Sequence, residues 1–525
     1  MSHTSAAAHP RRWAILAVLC LSLLMVIIDN TIVNVALPTL STELGASTTS
    51  LQWIVDAYTL VFSALLLALG HAGDRFGRKR ALQLGLVLFA ATSALAAMAT
   101  TSSQLVGARA LMGIGAALIF PATLAILVTV FTDTRERATA IGIWSACTGL
   151  AVALGPVTGG YLLEHFAWGS IFLVNIPLAA VALALGWWLI PDSRDPAAGP
   201  LDRLGLVLSA AGVGLVVWAV IEAPERGWTS TPVAVGGTTG LLLLAVFAVW
   251  ERRLAHPLLE IRLFSNPRFT AASLSVTTAF FALFGFIFLI TQYLQLVQGY
   301  SPFEAGLRTL PFAIATGVTS PLAMVAMHRF GSKLVVSSGL AVMAVGFVLA
   351  SRLQVDTPYV GLTVVSMVTI AVGLGLATGP ATESIMGVLP ADKAGVGSAV
   401  NDTTRELGGT LGVAVVGSVF ATVYGTRVVD ALSEAGVPAD ALATAGSSVA
   451  GALTAAASLP ADLGGAVVAA AQEAFISGLS AGSLVAGAAA ALGAVLALVF
   501  LPARAAVRAP GLDAALVSSE APVPA

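Results

Sequence analysis

Charge is what this 525-residue chain lacks most: Asp, Glu, Lys and Arg together make up 10% of it. A soluble domain carries about 25%, so a string of water-soluble domains is excluded. Lysine is nearly absent, with Lys79, Lys333 and Lys393 against 22 arginines. With abundant alanine and 52 glycines, that bias points to a GC-rich bacterial source. Cysteine is scarce as well. Cys20 and Cys147 both lie in apolar runs, which argues against a disulfide framework and against a thiolate metal site. The six histidines show no paired metal spacing, and neither a nucleophile motif nor a Walker sequence is present. No enzyme, ATP-driven machine, metal or cofactor is therefore expected. A net charge of −2 removes the electrostatic case for nucleic acid. What is abundant is apolar: 57% of residues, with a mean hydropathy of +0.93. The chain is expected to be an all-α, polytopic membrane protein.

A spanning helix needs roughly 20 apolar residues. Candidates lie at 13–36, 51–70, 81–99, 104–130, 139–162, 168–190, 204–222, 232–250, 269–291, 303–327, 334–351, 359–379, 397–421 and 478–501, which makes fourteen. The first follows Arg11 and Arg12, as a signal peptide would. It is too long for one, lacks a small-residue cleavage site and carries Asp29 and Asn30, so it is expected to be retained. Placing both termini in the cytoplasm puts 19 basic residues on that side. Only Arg226, Arg352 and Arg427 fall outside, while Arg109, Arg308 and Arg405 lie in spans or at their ends. That asymmetry obeys the positive-inside rule and supports fourteen spans, since an odd miscount would scramble it.

Two segments recur in the same order. Arg75-Phe76-Gly77-Arg78-Lys79 follows the second span, and Arg329-Phe330-Gly331-Ser332-Lys333 follows the tenth. Gly113-Ile114-Gly115 leading to Pro121-Ala122-Thr123 is echoed by Gly373-Leu374-Gly375 leading to Pro380-Ala381-Thr382. Transporters are often built from repeated halves. The expected organisation is a six-helix bundle over 1–190, a linker with two inserted helices over 191–268, and a second six-helix bundle over 269–502. Residues 426–470 read as a long Ala/Gly-rich external loop with room for short helices, and 503–525 as a disordered cytoplasmic tail.

Several motifs carry more than topology. Gly70-His71-Ala72-Gly73-Asp74-Arg75-Phe76-Gly77-Arg78-Lys79-Arg80 reads either as a positive-inside loop or as a latch. Its glycines permit a tight turn, and Asp74 can accept from an arginine or from a helix N-terminus. In its second copy His328 replaces the acid, which implies a weaker latch. Arg109 lies inside the fourth span at a cost of about 2.5–3.5 kcal/mol and needs a partner, unless it snorkels to the outer interface. Gly149-Leu150-Ala151-Val152-Ala153-Leu154-Gly155-Pro156-Val157-Thr158-Gly159-Gly160 combines a proline kink with small residues that allow close packing.

These motifs resemble those of the major facilitator superfamily. The resemblance implies two six-helix bundles, with Gly70, Gly73, Asp74, Arg75, Gly77, Arg78 and Lys79 as a conformational latch. Arg109 would take part in proton transfer, and Gly149, Gly155, Pro156, Gly159 and Gly160 would form the antiporter motif of drug exporters, with Ala151 where a glycine is usual. Asp29-Asn30-Thr31-Ile32-Val33-Asn34 is similar to the first-helix motif of the fourteen-helix multidrug:proton antiporters of the EmrB/QacA type. Gln52-Trp53 with Tyr58, Trp168 through Asn175, and Tyr293-Leu294-Gln295 match the same branch. Asn401 through Gly409 resembles its actinobacterial members.

Few acids lie inside spans. Asp29, Asp56 and Arg109 all enter from the outer side and can share one depth. Asp29 is the leading candidate for the coupling acid; the alternative is a permanent ion pair with Arg109. Asp56 either couples protons or meets external water. Asp402, Arg405 and Glu406 form either a self-satisfied cluster or a second relay that uses Glu406. Ser301-Pro302-Phe303-Glu304 reads as a capping box, with Glu304 paired to Arg308. Asp29, Trp53, Tyr58, Phe120, Phe284, Tyr293 and Gln295 are candidates to contact substrate. A cavity of aromatics with a carboxylate suits lipophilic cations, although most such aromatics are packing. One proton crossing 100 mV is worth about 2.3 kcal/mol, more than the roughly 1.4 kcal/mol of a tenfold gradient. The expected protein is a monomeric, proton-coupled exporter of drugs or toxic compounds in a bacterial inner membrane. The alternative is a dedicated exporter of one endogenous product.

Overall fold

The computed structural model describes residues 10–194, 202–254, 257–389 and 394–502. Among them, fourteen helices are long and apolar enough to cross a membrane. They are α1 (Arg12–Glu43), α2 (Thr48–Phe76), α3 (Arg78–Ala97), α4 (Ser102–Val130), α5 (Thr134–His165), α6 (Ser170–Leu189) and α7 (Arg203–Arg226). The others are α8 (Thr231–Glu251), α9 (Pro267–Val297), α10 (Pro302–Phe330), α11 (Ser332–Ala350), α12 (Tyr359–Met386), α13 (Ala394–Glu434) and α14 (Ala461–Phe500). The expected tail at 503–525, and most of the linker between α6 and α7, lie outside the described residues.

Polar caps set several helix starts by satisfying backbone N–H groups that have no partner within the helix. Ser47 accepts from the N–H of Ser50 at the head of α2, 3.2 Å away, and Asp133 takes those of Arg135 and Glu136 before α5, at 2.9 Å each. The capping box at α10 is present: Ser301 and Glu304 satisfy each other's backbone N–H groups. The expected Glu304–Arg308 ion pair does not form. Arg308 donates instead to the Glu304 carbonyl at 3.2 Å and lays its guanidinium 3.6 Å from the Tyr300 ring centre. The capping bond engages the carboxylate of Glu304 and turns it away from Arg308.

The turns after α2 and α10 match in conformation. Gly77 and Gly331 close them at φ of 123° and 84°, backbone angles that favour glycine.

In the first half α1 packs on α4, α5 and α6, and α4 also packs on α2 and α3. In the second, α9 packs on α12, α13 and α14, while α11 packs on α12 and α14. Three seams join the halves: α2 against α13, α5 against α10 and, less extensively, α1 against α9. The inserted α7 lies along the first seam and touches both α2 and α13, and α8 packs on α7. Outward-facing side chains are apolar: Leu84, Trp188, Leu242 and Val495 are all exposed, as a lipid-facing surface requires.

Segment 426–470 differs from the expected loop. α13 runs on to Glu434, two short helices follow at Ala439–Ser447 and Val449–Ala457, and α14 begins at Ala461. Alanine is the strongest helix former, and a hydropathy count of spans does not register that propensity.

Candidate functional site

The first half buries an ion pair at its centre. Asp29 on α1 and Arg109 on α4 have no exposed side-chain surface, and an Arg109 Nη donates to one Asp29 carboxylate oxygen. The other oxygen accepts from Asn175 Nδ2 on α6 at 2.8 Å. Asn175 also donates to Ser93 on α3 at 3.3 Å. Arg109 Nε donates to the Ile54 carbonyl of α2 at 3.1 Å, and the guanidinium lies 4.3 Å from the centre of the Tyr58 ring. Tyr58 is fixed in turn by donating to the Val26 carbonyl at 3.1 Å. Helices α1, α2, α3, α4 and α6 all converge on this pair. A charge buried alone is very costly, and this convergence is what makes the arginine tolerable. Snorkelling to the interface is thereby excluded.

Asp56 does not join the pair. It is fully buried on α2, and neither carboxylate oxygen has a hydrogen-bond partner among the described residues. One turn earlier, Gln52 donates across the seam to the Val413 and Ala414 carbonyls of α13 at 3.2 and 3.0 Å. On α13, Arg405 approaches Asp402 only to 3.9 Å and stacks 4.5 Å from the Phe280 ring centre. Glu406 keeps one oxygen without a partner among the described residues. The cluster is therefore not self-satisfied.

The candidate substrate contacts divide. Tyr58, Phe62, Phe120 and Trp144 form a ladder of rings with centre spacings of 6.0, 5.7 and 5.6 Å. Phe284 is half-buried beside Phe280. The other three sit in packing contacts. Trp53 donates to Glu222 of α7 at 3.0 Å, and Gln295 donates to the Val35 carbonyl of α1 at 2.9 Å. Tyr293 is fully buried and donates to the Gln354 carbonyl at 2.9 Å. Their place in the sequence motif marked them, but motif position does not report which way a side chain points.

The small residues of α5 work at two surfaces. A side chain at Gly155 or Gly159 would collide with Thr31 or Ile32 of α1, and one at Gly160 with Pro302 and Phe303 of α10. Gly306 of α10 fits equally tightly against Pro156. Gly149 has open space around it and serves no close approach.

The loop after α2 is held within the first half. Asp74 pairs with Arg78 at 2.6 Å, Arg78 also donates to Thr129, and Lys79 donates to the Trp187 carbonyl at 2.8 Å. Gly70 packs on Pro121 and Gly73 on Ala81, while Arg75 lies over the Phe76 ring. The hydrogen bonds across the seams cluster at the opposite end, where α1 finishes and α2 begins. They include Gln52, Gln295 and Thr291, whose hydroxyl donates to the Asn34 carbonyl at 2.8 Å.

A profile of the Major Facilitator Superfamily matches residues 19–413. The chain belongs to that superfamily. As a member of this superfamily it is a transporter and not an enzyme. The multidrug efflux pump LfrA of Mycolicibacterium smegmatis is 40% identical, over 91% of this chain and 94% of its own. The methyl viologen resistance protein SmvA of Salmonella typhimurium is 36% identical, over 89% and 93%. The tetracenomycin C resistance and export protein of Streptomyces glaucescens is 32% identical, over 100% and 97%. An inward-facing, occupied bacterial homologue of the human lysosomal transporter Spinster superposes with a TM-score of 0.66 at 18% identity. That match covers 94% of this chain and 97% of the other, and it supports the superfamily fold alone.

Sequence reading placed Asp29 and Arg109 at one depth. It missed Asn175 and Ser93, which orient and share the carboxylate. An asparagine inside an otherwise apolar span was the available signal.

Proposed function

We propose that this protein is a proton-coupled antiporter that exports lipophilic cations by alternating access. The Asp29–Arg109–Asn175 cluster carries the reading. A carboxylate held by a guanidinium and an amide in a dry interior is a group whose proton affinity changes sharply if the arginine moves away. The close contact of α5 with Thr31 and Ile32, within one turn of Asp29, links the pair to the α5–α10 seam and supplies something that can move the two charges apart. Asp29 is the coupling acid, Arg109 its switchable counter-charge, and Asp56 and Glu406 are further stations with oxygens that lack donors. Phe120 and Phe284 are the aromatic contacts for substrate, and Tyr58 holds the Arg109 guanidinium. The similarity to a multidrug efflux pump and to a resistance protein for the aromatic dication methyl viologen supports this substrate class.

The positive-inside count places both termini in the cytoplasm of a bacterial inner membrane. The joined end of the seams is then external, and this is an inward-facing state. A latch loop bonded within its own half fits that state. Residues 1–190 and 269–502 are the two moving bundles of a monomer, with 191–268 inserted between them. The test is ethidium uptake into inside-out vesicles under an imposed, acid-inside gradient. Uptake that stops when a protonophore collapses the gradient supports antiport, and uptake indifferent to the gradient refutes it. A second reading, export of one endogenous product, is favoured by the similarity to an antibiotic export protein. A narrow substrate profile in the same vesicles would select it.

A further inference from the structure

Two cysteines far apart in sequence meet between α1 and α5. The register of these parallel helices is set at both ends. Near the start, Arg12 pairs with Glu136, 124 residues further on, at 2.7 Å. Beyond the middle, the backbone of α5 at Gly155 presses on Ile28 and Thr31. Eight residues back along each helix from Ile28 and Gly155 stand Cys20 and Cys147. Cys20 also stands eleven residues before Thr31 and Cys147 eleven after Glu136, close to three full turns at about 3.6 residues per turn, so both return to the shared seam. The Cys20 and Cys147 thiols face the same seam, near enough to interact. Cys20 is buried and Cys147 is half-buried. The sequence argument against a thiolate site rested on both cysteines lying in apolar runs, and the α1–α5 register brings those two runs together.

We propose that Cys20 and Cys147 form a two-coordinate binding site for a divalent soft cation of the Hg(II) class. Soft cations prefer thiolate sulfur. In the binding step each thiol loses its proton to solvent, two S–H bonds are replaced by two S–Hg bonds, and the halides of the incoming salt depart. No oxidant or reductant is needed. The bis-thiolate of a divalent ion is neutral, whereas that of Cu(I) or Ag(I) keeps a negative charge, which an apolar seam disfavours. Zn(II) needs four ligands, and no group of three or more His, Cys, Asp or Glu residues suited to a metal occurs among the described residues. The bound ion would tie the helix that bears Asp29 to the helix that bears Pro156.

The test is HgCl2 titration of the purified full-length protein, followed by desalting through a monothiol wash. The expected result is one mercury per chain, with both thiols lost to a thiol-reactive dye. Two thiols on one scaffold gain about 100-fold or more over either alone, so Cys20→Ser and Cys147→Ser should each lose retention by that order. The ratio of one ion to two thiols in the unsubstituted protein needs no variant, so a folding failure leaves the test intact. Two mercury ions per chain, or single variants that retain as much as the parent, would overturn the site.

Discussion

Neutralising Asp29 should expose how the buried pair is held. In Asp29→Asn the arginine keeps the Ile54 carbonyl at 3.1 Å and the Tyr58 ring at 4.3 Å but loses its counter-charge. Removing one partner of a buried pair costs about 3–5 kcal/mol. A desolvated cation–π contact returns about 2 kcal/mol to the stranded charge, which puts this variant at the lower end. In Arg109→Gln the carboxylate keeps only Asn175, at 2.8 Å, so that variant belongs at the upper end. The double variant strands no charge. Its cost should fall short of the sum of the two by about 1–3 kcal/mol, the coupling expected of contacting groups. Equilibrium unfolding of the four proteins in one detergent measures the cycle. Costs that simply add would mean that the two side chains do not stabilise each other, and the description of the site would be wrong. The double variant should still fail to move protons with substrate, since regained stability does not restore a titratable group.

Three further outcomes follow from the seams and the loop. Gly155→Val should lower transport and cost about 1–3 kcal/mol through overpacking against Thr31, seen as a lower midpoint of unfolding; an unchanged midpoint would refute the close approach. Gln52→Leu removes the bonds from α2 to the α13 carbonyls, each worth about 0.5–1.5 kcal/mol, and should raise the labelling rate of a cysteine introduced at that end. Asp74→Asn breaks a partly exposed pair worth under about 1 kcal/mol. It should leave unfolding unchanged while slowing transport, because Asp74 belongs to the proposed conformational latch.

The parts legible in the sequence were those that hydrophobicity and local chemistry govern. Fourteen spans, the glycine turns at Gly77 and Gly331 and the Ser301–Glu304 box each depend on residues close together in the chain. The Asp29–Arg109 pair was legible at one remove, because an intramembrane arginine must find an acid at its own depth. What escaped depends on rotation about helix axes. Nothing in the chain tells that Tyr293 turns into the packing around Gln354, that Trp53 turns to α7, or that Cys20 meets Cys147. Residues 426–470 were legible as an Ala/Gly-rich segment with room for short helices, but not as extensions of α13 and α14, because alanine's helix propensity leaves no mark in a count of spans.

The central claim, that Asp29 couples substrate to protons, is tested most directly by proton release from reconstituted vesicles on adding ethidium without an imposed gradient. The intact protein should release protons in proportion to substrate bound. Asp29→Asn, scaled to its folded fraction, should release none. Undiminished release from Asp29→Asn would contradict the claim and move the coupling step to Asp56 or Glu406.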